Sequence, residues 1–336
     1  MTERLATILR CPADKMSLQA TSDALVCPSC RRRFELQGGI VRMLDERALE
    51  PSARDQMAVY DDRFRRMTPA AHENLFASEF VYRTELLWQS LAALGIRTIA
   101  ADDVWLYIGG GEGTQCMALS ERGGMHVSFD VSLGQLRTGR WLLEHVAPRF
   151  FPRLRPASVS FVWGDGEKGL PFADGCAAAA YGIGVLNHLP PAAWGPHVAE
   201  LARVVRKNGV VFEIVPNPAS AFFRKRYMTA QFADPHSLQY WTQFIEQAAV
   251  ETAFREAGLS DVRTVALWRL DHDAAPGRCW RLDFMAARIM RRLLPGHGHP
   301  GIVFQRLMLR ACERRASLTR RFTYEPPKHL LVAGRR

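Results

Sequence analysis

Val104-Trp105-Leu106-Tyr107-Ile108-Gly109-Gly110-Gly111-Glu112-Gly113 is the stretch whose reading decides the fold. A short apolar run breaks into a G-x-G-x-G turn and opens directly onto Thr114, where a helical pattern begins. Strand, glycine turn and helix in that order are the context in which such loops bind ligands. Glycine lets the backbone turn tightly and approach a bound group closely, and the helix N-terminus offers unpaired N–H donors. The spacing of Gly109, Gly111 and Gly113 is shorter than the G-x-G-x-x-G of dinucleotide-binding turns.

Outward from this loop the chain alternates strands and helices. Strands are expected at Val104–Ile108, 125–129, Val159–Trp163, Ala177–Ile183, 210–215, 262–267 and 329–333. Helices are expected at 114–122, 133–146, 192–205 and 244–257, the third of them closing at an Asn208-Gly209 cap. That alternation predicts an α/β fold, a doubly wound seven-stranded Rossmann-like sheet covered on both faces. Upstream, 46–74 reads as a charged linker and first helix broken by Pro51-Ser52 and Thr68-Pro69. An amphipathic helix follows at 80–94 and stops at Gly95.

Three further segments carry chemistry. Val127-Ser128-Phe129-Asp130 ends the second strand in an acid, seventeen residues past Gly113. A carboxylate there can accept both hydroxyls of a ribose, or simply cap the next helix together with Ser132. Gly164-Asp165-Gly166-Glu167-Lys168-Gly169-Leu170-Pro171-Phe172 follows the third strand, and Gly184-Val185-Leu186-Asn187-His188-Leu189 follows the fourth. In order and spacing these segments resemble class I S-adenosylmethionine (SAM)-dependent methyltransferases with a methyltransferase type 11-like domain, over roughly residues 100–268 plus the last strand. The resemblance implies SAM as cofactor, Asp130 at the ribose, Asp165 with Gly166 and Glu167 at the adenine, and Tyr107, Gly109, Gly111 and Gly113 around the glycine loop. It also exposes two departures. Tyr107 stands where such enzymes carry an acid near the methionine end of the cofactor, and the usual acid of the fourth strand is lost within Ala177-Ala178-Ala179-Ala180.

Methyl transfer of this kind is an in-line displacement, and holding acceptor and methyl group together is the enzyme's main task. A general base is required only for a protonated acceptor. His188, just beyond the fourth strand, is the candidate; His236 and Tyr240 lie where substrate contacts are expected, and a packing histidine is the plain alternative.

The first 45 residues have another character. Cys11-Pro12-Ala13-Asp14 and Cys27-Pro28-Ser29-Cys30 are two knuckles, each followed by short strand-like runs. They resemble the small zinc-ribbon-like domain that precedes some methyltransferases and also occurs alone as a methyltransferase activator subunit. Cys11, Asp14, Cys27 and Cys30 are the implied ligands of one structural zinc, with Asp14 in a position where the pattern has cysteine. A ribbon that has lost its metal is the alternative.

The expected domains are 1–45 (zinc-ribbon-like), 46–100 (linker and N-terminal helices), 101–268 (SAM-binding core), 269–328 (basic helical insert) and 329–336 (last strand of the core). The formal charge of +10 is concentrated at the end, where residues 269–336 hold 15 Lys or Arg against 5 Asp or Glu. Arg306, Arg310 and Arg314 recur at helical spacing. The insert reads as a lid, an RNA-phosphate surface, or an interfacial helix pair for a lipid-like acceptor. Arg10 and Cys11 interrupt any signal-peptide core after Ile8-Leu9, and no apolar stretch is long enough to span a membrane, so a cytoplasmic protein is expected. The favoured function is methyl transfer to a small or medium-sized organic acceptor, a secondary metabolite or lipid-like molecule. An RNA methyltransferase and a non-catalytic SAM-fold binding subunit are the alternatives, and the oligomeric state is left open.

Overall fold

Strands covered on both faces show no alternation of exposure, and three strands of this protein have that signature. Val104–Ile108 (β5), Met125–Asp130 (β6) and Val159–Trp163 (β7) are buried at every position. The structure, a computed structural model, describes residues 3–44, 49, 51–166, 169–220, 245–267 and 329–336. Glu167, His236, Tyr240 and the basic stretch 269–328 lie outside the described residues. Among the described residues no helix is long and apolar enough to cross a membrane.

The remaining strands of the core are Ala177–Ile183 (β8), Val205–Pro216 (β9), Ser260–Leu267 (β10) and His329–Arg335 (β11). They lie in the order β7-β6-β5-β8-β9-β11-β10, parallel except for β11, which runs antiparallel to both neighbours. The order reverses between β5 and β8, so a crevice opens at the carboxyl ends of β5 and β6 beside β8, which is where open α/β sheets bind ligands.

One face of the sheet is covered by Pro69–Ala93 (α3), Thr114–Ser120 (α4) and Leu133–His145 (α5), whose Leu87, Leu91, Met117, Leu136 and Leu143 pack with Trp105, Tyr107 and Phe161. Thr68 caps α3 by accepting from Ala71 N at 3.2 Å, with Pro69 in the first turn, so this helix begins well before the expected residue 80. The other face is covered by Pro191–Val204 (α6) and Gln247–Glu256 (α7).

No helix fills the crossover from β7 to β8 among the described residues, and the leader takes that place. Its helix Glu3–Ile8 (α1) and strands Gln19–Ala20 (β1), Ala24–Val26 (β2), Arg33–Gln37 (β3) and Ile40–Arg42 (β4) share one core with the α6 face, through Leu5, Leu9, Phe34, Phe172 and Trp194. β4 pairs in parallel with β7, Val41 opposite Val162, so among the described residues the seven core strands and four leader strands form a single sheet of eleven. Leu9 bridges Phe172, and the backbones of Arg10 and Ile8 bond to Pro171 and Ala173.

The structure corrects one expected boundary. Asn208-Gly209 does not cap a helix: α6 ends at Val204 and β9 starts at Val205. Asn208, at φ +64°, instead sits in an irregularity where the register with β8 jumps from Ala177–Val205 to Ala179–Val210, and its N–H bonds Arg336 O.

Candidate active site

The glycine loop is the first wall of the crevice. Gly109, Gly111 and Gly113 adopt φ of +63°, +50° and +67°, the left-handed region that favours glycine. A Cβ on Gly111 would meet Gln135 Oε1 at 2.4 Å, so the loop is close-packed. Gly111 N donates to Asp130 Oδ2 at 2.8 Å and Ser132 N donates to Asp130 Oδ1 at 2.7 Å. The carboxyl at the end of β6 therefore ties the loop to the start of α5. Burial pushes it up to about 6, partly opposed by those two N–H donors. Ser132 also caps α5, accepting from Gln135 N at 3.2 Å. The acid thus lines the crevice while the serine caps the helix.

The crevice is a cavity of about 230 Å³. Ile108, Gly109, Phe129 and Asp130 form one side, Gly164, Asp165 and Gly166 an end, and Gly184, Val185, His188 and α6 residues the rest. Gly109, Asp130, Asp165, Gly166 and His188 are brought together here. Gly111 and Gly113 support the loop from behind, with Gly113 as the N-cap of α4.

Tyr107 is placed differently. Its ring stacks on Tyr181 at 4.7 Å, and Tyr181 stacks on Phe212 at 4.9 Å, on the sheet face opposite the cavity. An uncharged aromatic column across three strands occupies the position of the absent acid, and Tyr107 does not line the cavity.

Sequence reading missed the contribution of Pro51–Arg66 (α2), taken as linker and first helix. Tyr60 lines the cavity, its hydroxyl 3.4 Å from His188 Nε2 with the rings edge-on. The next residue, Asp61, accepts from Ser132 Oγ at 2.5 Å and Gly134 N at 2.9 Å, which locks α2 over the N-terminus of α5. The signal available was only an acidic residue on a charged helix. His197 and Glu213, a buried pair beside the cavity, were missed as well.

A second cluster lies in the leader. One donor atom each from Cys11, Asp14, Cys27 and Cys30 falls within 4.8 Å of all the others. Cys11 Sγ is 3.6 Å from Cys30 Sγ, and Cys27 Sγ is 3.3 Å from Asp14 Oδ2. Zinc–sulfur bonds of about 2.3 Å in a tetrahedron put ligand atoms roughly 3.8 Å apart, so this set fits the ion. Burial pushes the Cys11 thiol up to about 12, while the Met16 N–H holds Asp14 down to about 2. A cation supplies the charge that a buried thiolate lacks.

A glycine loop on a parallel sheet, an acid closing the second strand and a cavity at the switch point together make a nucleoside-binding site. Residues 106–212 match the family described as methyltransferase domain, and residues 2–39 match that described as Trm112p-like protein. The chain thus carries a methyltransferase domain, preceded by a Trm112p-like leader. No curated protein matches it in sequence. Among solved structures it is similar to geranyl diphosphate C-methyltransferase from Streptomyces coelicolor A3(2), at 17% identity over 76% of this chain and 77% of that one, TM-score 0.45. A complex containing the Trm112 methyltransferase activator of Haloferax volcanii gives 16% identity over 84% and 96%, TM-score 0.47. A SAM-dependent methyltransferase from Archaeoglobus fulgidus gives 14% over 75% and 94%, TM-score 0.44.

Proposed function

We propose that the chain transfers a methyl group from SAM to a small or medium-sized organic acceptor held in the cavity between Asp130, Asp165 and His188. The observation that supports this best is the cavity itself, which joins the ribose-competent carboxylate, the loop of Asp165 and Gly166, and two histidines. When bound, the cofactor supplies an electrophilic methyl on a sulfonium. Asp130 accepts the ribose hydroxyls, its backbone donors holding the carboxylate oriented for them. Gly109 leaves room for the nucleoside, since a Cβ there would already sit 2.6 Å from Val185 Cγ2. Asp165 receives the adenine amino group beside Gly166, with Glu167 next in sequence. Tyr60 and His188 close the cavity and exclude water from the transfer.

The proposed domain division is 1–45 for the leader, 46–100 for the N-terminal helices and 101–268 with 329–336 for the core. A lipid-like or metabolite acceptor is favoured over RNA. Cys11, Asp14, Cys27 and Cys30 hold one structural zinc, whose role is to stabilise the leader against the core. Incubating the protein with tritiated SAM and separate pools of metabolites, lipids and RNA tests the acceptor class. Label moving into an organic-soluble product supports the reading; label confined to RNA overturns it.

A further inference from the structure

A fully buried carboxylate projects from the middle of the sheet. Glu213 on β9 is 0% exposed, and its one hydrogen-bond partner among the described residues is His197 of α6, Nε2 to Oε1 at 3.0 Å. Its second oxygen, Oε2, has no hydrogen-bond partner among the described residues. It is wedged against β8, where a Cβ on Gly182 would lie 2.4 Å from it. Gly182 therefore makes the space the carboxylate fills. A buried carboxylate with an unsatisfied oxygen is costly, and an apolar residue of similar size would pack the site at least as well. His197 is itself buried, yet it lines the cavity, and its other ring nitrogen makes no hydrogen bond among the described residues. The remaining titratable groups of that wall are His188, in contact with Tyr60, and Glu200, tied to Leu170 N and Arg203.

We propose that His197, oriented by Glu213, is the general base for a hydroxyl or amine acceptor, with its Nε2–H donating to the carboxylate and its Nδ1 lone pair turned to the cavity. A base fixed by a third group is the arrangement that activates nucleophiles on many folds. His188 meets the Tyr60 hydroxyl across the cavity and serves binding instead. The step balances. A bond forms between the acceptor heteroatom and the methyl carbon while the methyl–sulfur bond breaks, its electron pair staying on sulfur. The acceptor proton passes to Nδ1. The product state is an imidazolium beside a carboxylate, a net-neutral pair. With neutral His197 the buried pair carries one negative charge, which burial disfavours; the raised affinity of Glu213 for a proton has the same cause. Glu213 acts as the positioning residue.

This inference rests on the methyl-transfer reading, and the tautomer of one ring tests it without a known acceptor. The full-length protein is labelled with 15N-histidine and its ring nitrogens are followed by long-range proton–nitrogen NMR at pH 8. His197 is assigned from the signals missing in His197→Gln. The expected result is a proton on Nε2 and a bare Nδ1, with this preference lost in Glu213→Gln. A proton on Nδ1 and a bare Nε2 would place the other proton on Glu213, present a donor to the cavity, and overturn the proposal. SAM binding measured on the same sample separates the two levels. Wild type that binds no SAM overturns the methyl-transfer reading and this role with it, whereas SAM binding with the wrong tautomer overturns the base alone. In a screen of phenol, amine and thiol acceptors, His197→Gln is expected to lower kcat about 10²- to 10⁴-fold, flatten the pH profile, and leave KM for SAM within about twofold. A defect confined to KM would contradict it.

Discussion

Asp130 holds three functions in one side chain: it fixes Gly111, fixes Ser132 and faces the cavity. Asp130→Ala is expected to weaken SAM binding about 100-fold or more, the loss of charge-assisted hydrogen bonds of about 1.5–3 kcal/mol each. Its pH dependence has a definite sign. The folded-state carboxyl is raised to about 6, above its ordinary value of 3.8, so the folded protein binds a proton that the unfolded chain releases. Stability therefore falls as pH rises through that window. Cofactor binding, which uses the ionised form, moves the other way: SAM affinity should drop about tenfold per unit below pH 6. Calorimetric titration between pH 5 and 8 checks this, and a flat profile would contradict it. Tyr107 gives a second residue-scale expectation. Restoring the acid by Tyr107→Asp would put a charge against Tyr181 in the core and open a cavity there. The expected outcome is a loss of several kcal/mol in chemical denaturation, with no gain in SAM affinity.

Between elements, the contacts that decide the architecture join the leader to the strap after β7. Phe172 is fully buried, bridged in its backbone by Leu9 and packed edge-on to Phe129. Phe172→Ala should cost about 3–5 kcal/mol, measured by denaturant unfolding, and an effect under 1 kcal/mol would show the leader merely resting on the core. Much of the core was legible in sequence, because β5, β7 and β8 are short apolar runs and the glycine spacing is local. The pairing of β4 with β7 was not, since a parallel edge contact is made by backbone groups across more than a hundred residues and leaves no side-chain pattern. Asn208-Gly209 misled for a related reason: a left-handed residue serves a helix cap and a strand irregularity equally well, and only the partner strand decides. Tyr60 and Asp61 were hidden because their partners lie 128 and about 70 residues away. His197 and Glu213 are close in sequence, but nothing local shows that α6 lays one over the other.

For the whole molecule, one sheet and a shared core mean that leader and catalytic domain stand or fall together. Zinc removal by a chelator should lower the melting temperature in a single transition, read by scanning calorimetry; two separated transitions would contradict a shared core. The charge excess of residues 269–336 belongs to this scale too, and if it served only as a lid surface, added RNA would leave SAM affinity unchanged at low salt. All of this depends on the cavity being a cofactor site. The most direct test is isothermal calorimetry of SAM on the zinc-assayed full-length protein and on Asp130→Ala. Binding by the wild type at one site per chain, lost in the mutant, is the predicted result. No binding by the wild type at protein concentrations near a millimolar, or equal binding by both, would contradict the account.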